Sequence, residues 1–207
     1  MRTIRISWII LLLASGMLPA ACLLGGGGGS APTRFYKLDS LREIEPGRKA
    51  EVSLPEVSVA VGPIGLAPYL DRPQIVTLNA ENELRVNEFD RWGESLKSGI
   101  TRVVADNLAL LLDTTRVAAA AAQAFPKADF QVAIDISRFD GAPGGKTVLQ
   151  ARWRIISGGD NLRMSRAAAL EESIPGSDFS GLVKAHSLLL ARLSREIAEG
   201  VAALSRG

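Results

Sequence analysis

Apolar residues recur along this chain at two periods, and each period names its element. Phe130, Val132, Ile134 and Ile136 alternate with Gln131, Ala133, Asp135 and Ser137. Successive side chains of a strand point to opposite faces, so this stretch predicts a strand buried on one side. Leu149, Ala151, Trp153 and Ile155 repeat the pattern against Gln150, Arg152 and Arg154. Pro143-Gly144-Gly145 between them marks a turn. Val57, Val59 and Val61 predict an earlier strand that ends near Gly62-Pro63. Gln74 to Leu78 and Leu84 to Glu88 read as a hairpin around Asn79-Ala80-Glu81-Asn82. Thr115 to Ala120 reads as a short strand, with the alanines after it in a turn or loop. Gly158-Gly159-Asp160-Asn161 turns into a last, polar strand ending near Ile174.

Helical spacing governs two other stretches. Leu96, Ile100, Val103, Val104, Leu108, Leu111 and Leu112 form one apolar stripe, predicting a helix from Glu94 to Leu112. Leu182, Val183, Leu189, Leu190, Leu193, Ile197, Val201 and Leu204 do the same for a final helix from Asp178 to Leu204. Ser177 or Asp178 can cap it. The fold class expected is α/β (α+β): a single domain with a mixed, mostly antiparallel sheet and two amphipathic helices packed on one face.

The N-terminus follows a different logic. Arg2 and Arg5 precede an apolar run from Ile6 to Leu18, then the small residues Ala20 and Ala21, then Cys22. These are the parts of a secretory signal peptide. The run is shorter than the about 20 residues a membrane-crossing helix needs. Cys22 is the chain's one cysteine, so it has no disulfide partner. The segment resembles the bacterial lipobox, with Pro19 where an aliphatic residue usually stands. Residues 1–21 then form a lipoprotein signal peptide, residues 22–32 the lipidated cysteine and a Gly-rich tether, and residues 33–207 the domain. An ordinary signal peptide cleaved near Ala21 is the other reading. Leu23 and Leu24 follow the cysteine. By analogy with enterobacterial sorting, the absence of Asp there favours the outer membrane, facing the periplasm.

Charge and chemistry narrow the function further. Without Arg2 and Arg5 the basic and acidic residues balance, which argues against nucleic acid as a partner and against strong electrostatic binding to anionic lipid. His186 is the single histidine and falls between Leu182 and Leu190, where a packed helix residue is the ordinary reading. No cluster has metal-ligand spacing. Gly141 to Gly145 lacks the ending of a phosphate loop. The expectation is therefore no catalytic residue, no metal, no cofactor and no enzyme.

Two segments stand apart: Gly62 to Val76 and Asn87 to Glu94. Each places an aromatic residue beside an Asp-Arg pair, in what reads as a connection between elements. Asp71 and Asp90 can cap turns or helix starts there. Alternatively Tyr69, Asp71, Arg72, Phe89, Arg91 and Trp92 form a partner interface, since Tyr, Trp and Arg anchor protein contacts.

The same residues carry a family resemblance. Tyr69-Leu-Asp-Arg-Pro-Gln-Ile-Val76 followed by Glu88-Phe-Asp-Arg-Trp92 resembles the auxiliary lipoproteins of ABC-type intermembrane transport systems, in particular the paraquat-inducible protein C family. Phe35-Tyr36-Lys-Leu38 fits that family's opening strand, and the likeness runs over about residues 33–205. Ala118 to Ala122 departs from it, since relatives often carry a tryptophan or proline there. The resemblance implies an outer-membrane-anchored, periplasm-facing lipoprotein that docks a mammalian-cell-entry (MCE) domain protein. An inner-membrane permease completes such a system, and its cargo is phospholipid or a related hydrophobic molecule. A homo-oligomeric ring is an assembly the resemblance allows. The alternatives are a tethered lipid carrier with an apolar cavity between sheet and helices, and a general envelope-assembly lipoprotein.

Overall fold

Among the described residues, eight strands and three α-helices make up the folded unit, Thr33–Gly207, of the computed structural model. The structure describes residues 31–79, 83–122, 127–157 and 161–206. Cys22 and the glycine tether, the tip of the predicted hairpin loop and the turn Gly158 to Asp160 lie outside the described residues. In chain order the elements are β1 (Arg34–Tyr36), α1 (Leu41–Ile44), β2 (Val59–Leu66), β3 (Gln74–Leu78) and β4 (Leu84–Trp92). There follow α2 (Leu96–Leu111), β5 (Val117–Ala119), a 3-10 turn over Ala120–Ala122, β6 (Phe130–Gly141), β7 (Lys146–Ser157), β8 (Asn161–Ser173) and α3 (Phe179–Ser205).

The clean alternation of β6 and β7 builds the centre. They pair antiparallel with Ile134 opposite Trp153 and Val132 opposite Ile155, all fully buried. β8 continues the meander antiparallel to β7. β2 runs parallel to both β6 and β5, completing a five-stranded sheet in the order β5-β2-β6-β7-β8. A smaller three-stranded sheet, β1-β4-β3, holds the predicted hairpin and the opening strand. The expected mixed sheet is thus the larger of two. Its long pairings are antiparallel, and the parallel ones involve β2.

α2 and α3 pack on one face of the large sheet. Ile100, Val104 and Leu108 of α2 and Leu189, Leu193 and Ile197 of α3 are fully buried. Ser95 caps α2 by accepting from the Ser98 N–H at 3.1 Å. Asp178 caps α3 by accepting from the Gly181 N–H at 2.8 Å. A Cβ on Gly181 would lie 1.9 Å from the Pro175 carbonyl oxygen, so only glycine fits at this entry. Asn107 interrupts the apolar stripe of α2 at a fully buried position. Its side-chain oxygen accepts from the Leu41 N–H at 2.6 Å, and its amide donates to Ser194 at 3.2 Å. One polar side chain therefore ties α1, α2 and α3 together.

Two strand limits differ from the sequence reading. β2 does not stop at Gly62-Pro63 but continues to Leu66. A register shift against β6 between Val61 and Ile64 absorbs the proline, at a cis Gly62–Pro63 peptide. Proline is tolerated in a strand at such an irregularity. β4 does not stop at Glu88 but runs to Trp92, so most of the segment read as a connection is strand. The register shift between Gln74 and Ile75 gives β4 three residues that β3 does not match, and this breaks the alternation.

β8 closes the large sheet with a 13-residue outer strand. Near its end the Arg192 guanidinium donates to the Glu171 carbonyl at 2.7 Å.

Candidate interaction surface

The small sheet places the residues that the sequence singled out. Parallel pairing sets Arg34 opposite Asp90, Phe35 opposite Arg91 and Tyr36 opposite Trp92. Tyr36 and Trp92 turn inward. Tyr36 packs on Phe179 with ring centres 6.3 Å apart, and Trp92 lies against His186 at 6.1 Å. Asp90 is also buried, at 6% exposure. Its carboxylate accepts from the Tyr36 hydroxyl at 2.9 Å and pairs with Arg34 at 2.9 Å. Burial, and then the bond to Asp90, push the Tyr36 hydroxyl above its ordinary pKa. Because strand side chains alternate, Phe35, Phe89 and Arg91 take the outward face. Phe35 is 67% exposed and Phe89 is 44% exposed.

The six residues expected at an interface divide accordingly. Trp92 belongs to the core. Tyr69 is half-buried, and its hydroxyl donates to the buried Asp140 carboxylate. Burial, and then that carboxylate, raise the Tyr69 pKa well above its ordinary value. Asp71 is exposed and paired with Lys97 at 2.6 Å. Arg72 is exposed and has no ion-pair partner among the described residues. Arg91 donates to the Glu88 carbonyl at 3.0 Å and makes a long ion pair with the Glu88 carboxylate at 3.4 Å. Arg72 lies at the Arg91 end of the sheet, since the Trp92 N–H donates to the Pro73 carbonyl at 2.8 Å and Gln74 pairs with Arg91. Phe89, Arg91 and Arg72 are thus brought to one end of the small sheet, and Phe35 joins them. The sequence reading missed Phe35 as a surface residue. Its signal was present in Phe35-Tyr36, an aromatic pair that a strand must split between two faces.

His186 is 1% exposed, with its ring 4.2 Å from that of Phe139. Neither ring nitrogen has a hydrogen-bond partner among the described residues. Burial lowers its pKa to about 3, with the Asp140 charge opposing that shift. A histidine so enclosed is neutral near pH 7 and cannot reach a substrate. No group of three or more His, Cys, Asp or Glu among the described residues could hold a metal ion. Several clefts among the described residues are open to solvent, and two concern the strands and helices above. One of about 540 Å³ lies on the solvent face of the large sheet, over Gly65, Asp135, Gln150, Arg152 and Ala167. Another of about 590 Å³ lies between β2 and α2, over Val61, Pro63, Ile64, Lys97, Arg102 and Ala119. No helix of the described residues is long and apolar enough to cross a membrane.

The comparisons agree with this architecture. Residues 36–198 match the family model described as "ABC-type transport auxiliary lipoprotein component". The chain belongs to that family of transport auxiliary lipoproteins. Two solved structures share its fold at 16% identity and a TM-score of 0.65. One is an uncharacterized protein, with 83% of this chain and 99% of that one covered. The other is protein XCC0632 from Xanthomonas campestris, with 84% and 100% covered. The PelC dodecamer from Paraburkholderia phytofirmans is far more distant, at 15% identity, a TM-score of 0.37, and 70% of this chain and 89% of that one covered. No curated protein matches this chain.

Proposed function

We propose that this lipoprotein is the outer-membrane docking component of an MCE-type intermembrane lipid transport system. Lipid on Cys22 holds it in the inner leaflet, the glycine tether gives slack, and the folded domain engages the distal end of the MCE assembly. An inner-membrane permease completes the system. A ring of copies would match a ring-shaped partner. The chain acts by positioning and not by catalysis, because tethering raises the effective concentration of the partner. The observation that carries this reading is the likeness of Tyr69 to Val76 and Glu88 to Trp92 to the paraquat-inducible protein C family, within a chain of the transport auxiliary family. The packing supports it, since the space between helices and sheet is filled by Ile100, Leu108, Leu149, Trp153, Leu189 and Leu193, each fully buried.

Affinity capture of the lipidated chain from detergent-solubilised envelopes, followed by mass spectrometry, tests the reading. An MCE-domain protein in stoichiometric yield is expected. Its absence under conditions that preserve a known MCE assembly overturns docking. A Cys22→Ser chain that restores transport in full would show the anchor to be only an address.

The second reading is a tethered lipid carrier. The apolar cleft between β2 and α2 favours it, with Val61, Ile64 and Ala119 as its floor and Lys97 and Arg102 at its rim. Native mass spectrometry separates the two, because a carrier retains one phospholipid per chain and a docking domain retains none.

A further inference from the structure

Exposed apolar side chains are unevenly placed on this molecule. Four large ones are exposed among the described residues: Phe35, Leu84, Phe89 and Leu162. Three of them belong to β1 and β4 of the small sheet. Phe35 and Phe89 share its outward face with Arg91, and Arg72 stands at the same end. Arg91 makes one long ion pair and one bond to the Glu88 carbonyl, and Arg72 makes no ion pair among the described residues. Glu88 is the acidic side chain beside them.

We infer that this face, which carries Phe35, Phe89 and Arg91 and has Arg72 at its end, rests on the headgroup region of the bilayer that holds the lipid of Cys22. Three arguments converge on a lipid surface as the occupant. The first is reach. The twelve residues Leu23 to Arg34 lead from the anchor to the first residue of β1, and a chain of that length spans at most about 40 Å. β1 is therefore the first element that the chain reaches from the anchor. The second is chemistry. Aromatic rings settle at the boundary of headgroup and acyl chain, and guanidinium groups donate to phosphate oxygens in pairs. The third is size. Two half-exposed phenyl rings offer on the order of 200 Å², far below the about 800 Å² per partner of a stable protein interface. A contact this small binds weakly alone, and it becomes effective once the anchor has removed the cost of association.

The inference rests on the lipid anchor and on no partner, so it can fail while docking stands, and the reverse. The test uses the lipidated full chain in vesicles of phosphatidylethanolamine and phosphatidylglycerol that carry brominated acyl chains. Phe35→Trp, Phe89→Trp and Leu162→Trp are compared, the last as a control on β8. Bromine quenching of the first two above the native tryptophan background, with none for the third, is expected. Equal quenching at all three means a domain with no preferred face and overturns the proposal. A blue shift at positions 35 and 89 without quenching, growing with protein density, gives the face to a second copy and also overturns it. As a further reading, the unlipidated Cys22→Ser chain should partition onto the same vesicles on the order of tenfold less when Phe35→Ser and Phe89→Ser are combined. Arg72→Glu should lower partitioning in the same direction, and unchanged partitioning in both variants refutes the contact.

Discussion

The Tyr36 hydroxyl donates to the Asp90 carboxylate at 2.9 Å across the parallel pairing of β1 with β4. A three-residue strand has little pairing of its own, so this bond and the packing of Tyr36 on Phe179 fix where the domain begins. Tyr36→Phe removes one donor from a buried carboxylate and should cost about 1 kcal/mol. Asp90→Ala should cost about 1–3 kcal/mol, because it strands the Tyr36 hydroxyl as well. Urea unfolding measures both, and amide exchange at residues 34–36 should rise before global unfolding. Wild-type midpoints in both variants would show that the bond holds nothing.

His186 makes stability depend on pH in a definite direction. Its folded pKa of about 3 lies below the ordinary 6.5, so the unfolded chain binds the proton more readily. Its contribution is complete above pH 6.5 and is lost as pH falls from there toward 3, at up to about 1.4 kcal/mol per pH unit. His186→Leu should flatten that part of the curve. At neutral pH it should also stabilise by about 1 kcal/mol, since two unpartnered buried nitrogens disappear. Thermal melts of both forms between pH 7 and pH 4 decide the matter, and parallel curves would count against it.

Asn107 holds three helices through one amide. Asn107→Leu matches the apolar stripe of α2 but leaves the buried Leu41 N–H without its acceptor, while the Ser194 hydroxyl keeps its bond to the Leu190 carbonyl. A loss of about 2–3 kcal/mol is expected, against the gain that helix propensity and burial alone would suggest. A variant as stable as the wild type would mean that α1 re-seats freely.

Gly181 admits no side chain at the entry to α3. Gly181→Ala brings a methyl group against the Pro175 carbonyl, and overpacking of this kind costs about 1–3 kcal/mol. A lowered melting midpoint with unchanged far-ultraviolet circular dichroism is expected. An unchanged midpoint would mean that the turn before α3 moves aside.

How far the sequence was legible follows from where a period runs unbroken. β7 alternates along its length and β6 does so from Phe130 to Ser137, before its register shift, and Asp178 caps α3 as one of the two expected residues. α1 spans four residues, too few to show a period, and is held by the side chain of Asn107 from elsewhere. β4 was cut short because its register shift hides the alternation. The expected interface was built from residue type, and type does not report which face of a strand is buried. Trp92 and Phe89 sit three positions apart in one strand, yet the first is in the core and the second is in solvent. Phe35 went unrecognised because its exposure depends on pairing with a strand more than fifty residues away.

The long outer strand β8 has a consequence for a protein anchored by lipid. Copies held through the proposed lipid on Cys22 would share a plane. An open strand edge in that setting meets other open edges far more often than it would in three dimensions, and such edges zip together. The charges of Arg163, Arg166, Glu171 and Glu172 along β8, and the Arg192 side chain seated on the Glu171 carbonyl, act as guards against that. Their value is to keep a crowded membrane face free of unwanted fibres, and it grows with surface density and not with the stability of any one copy.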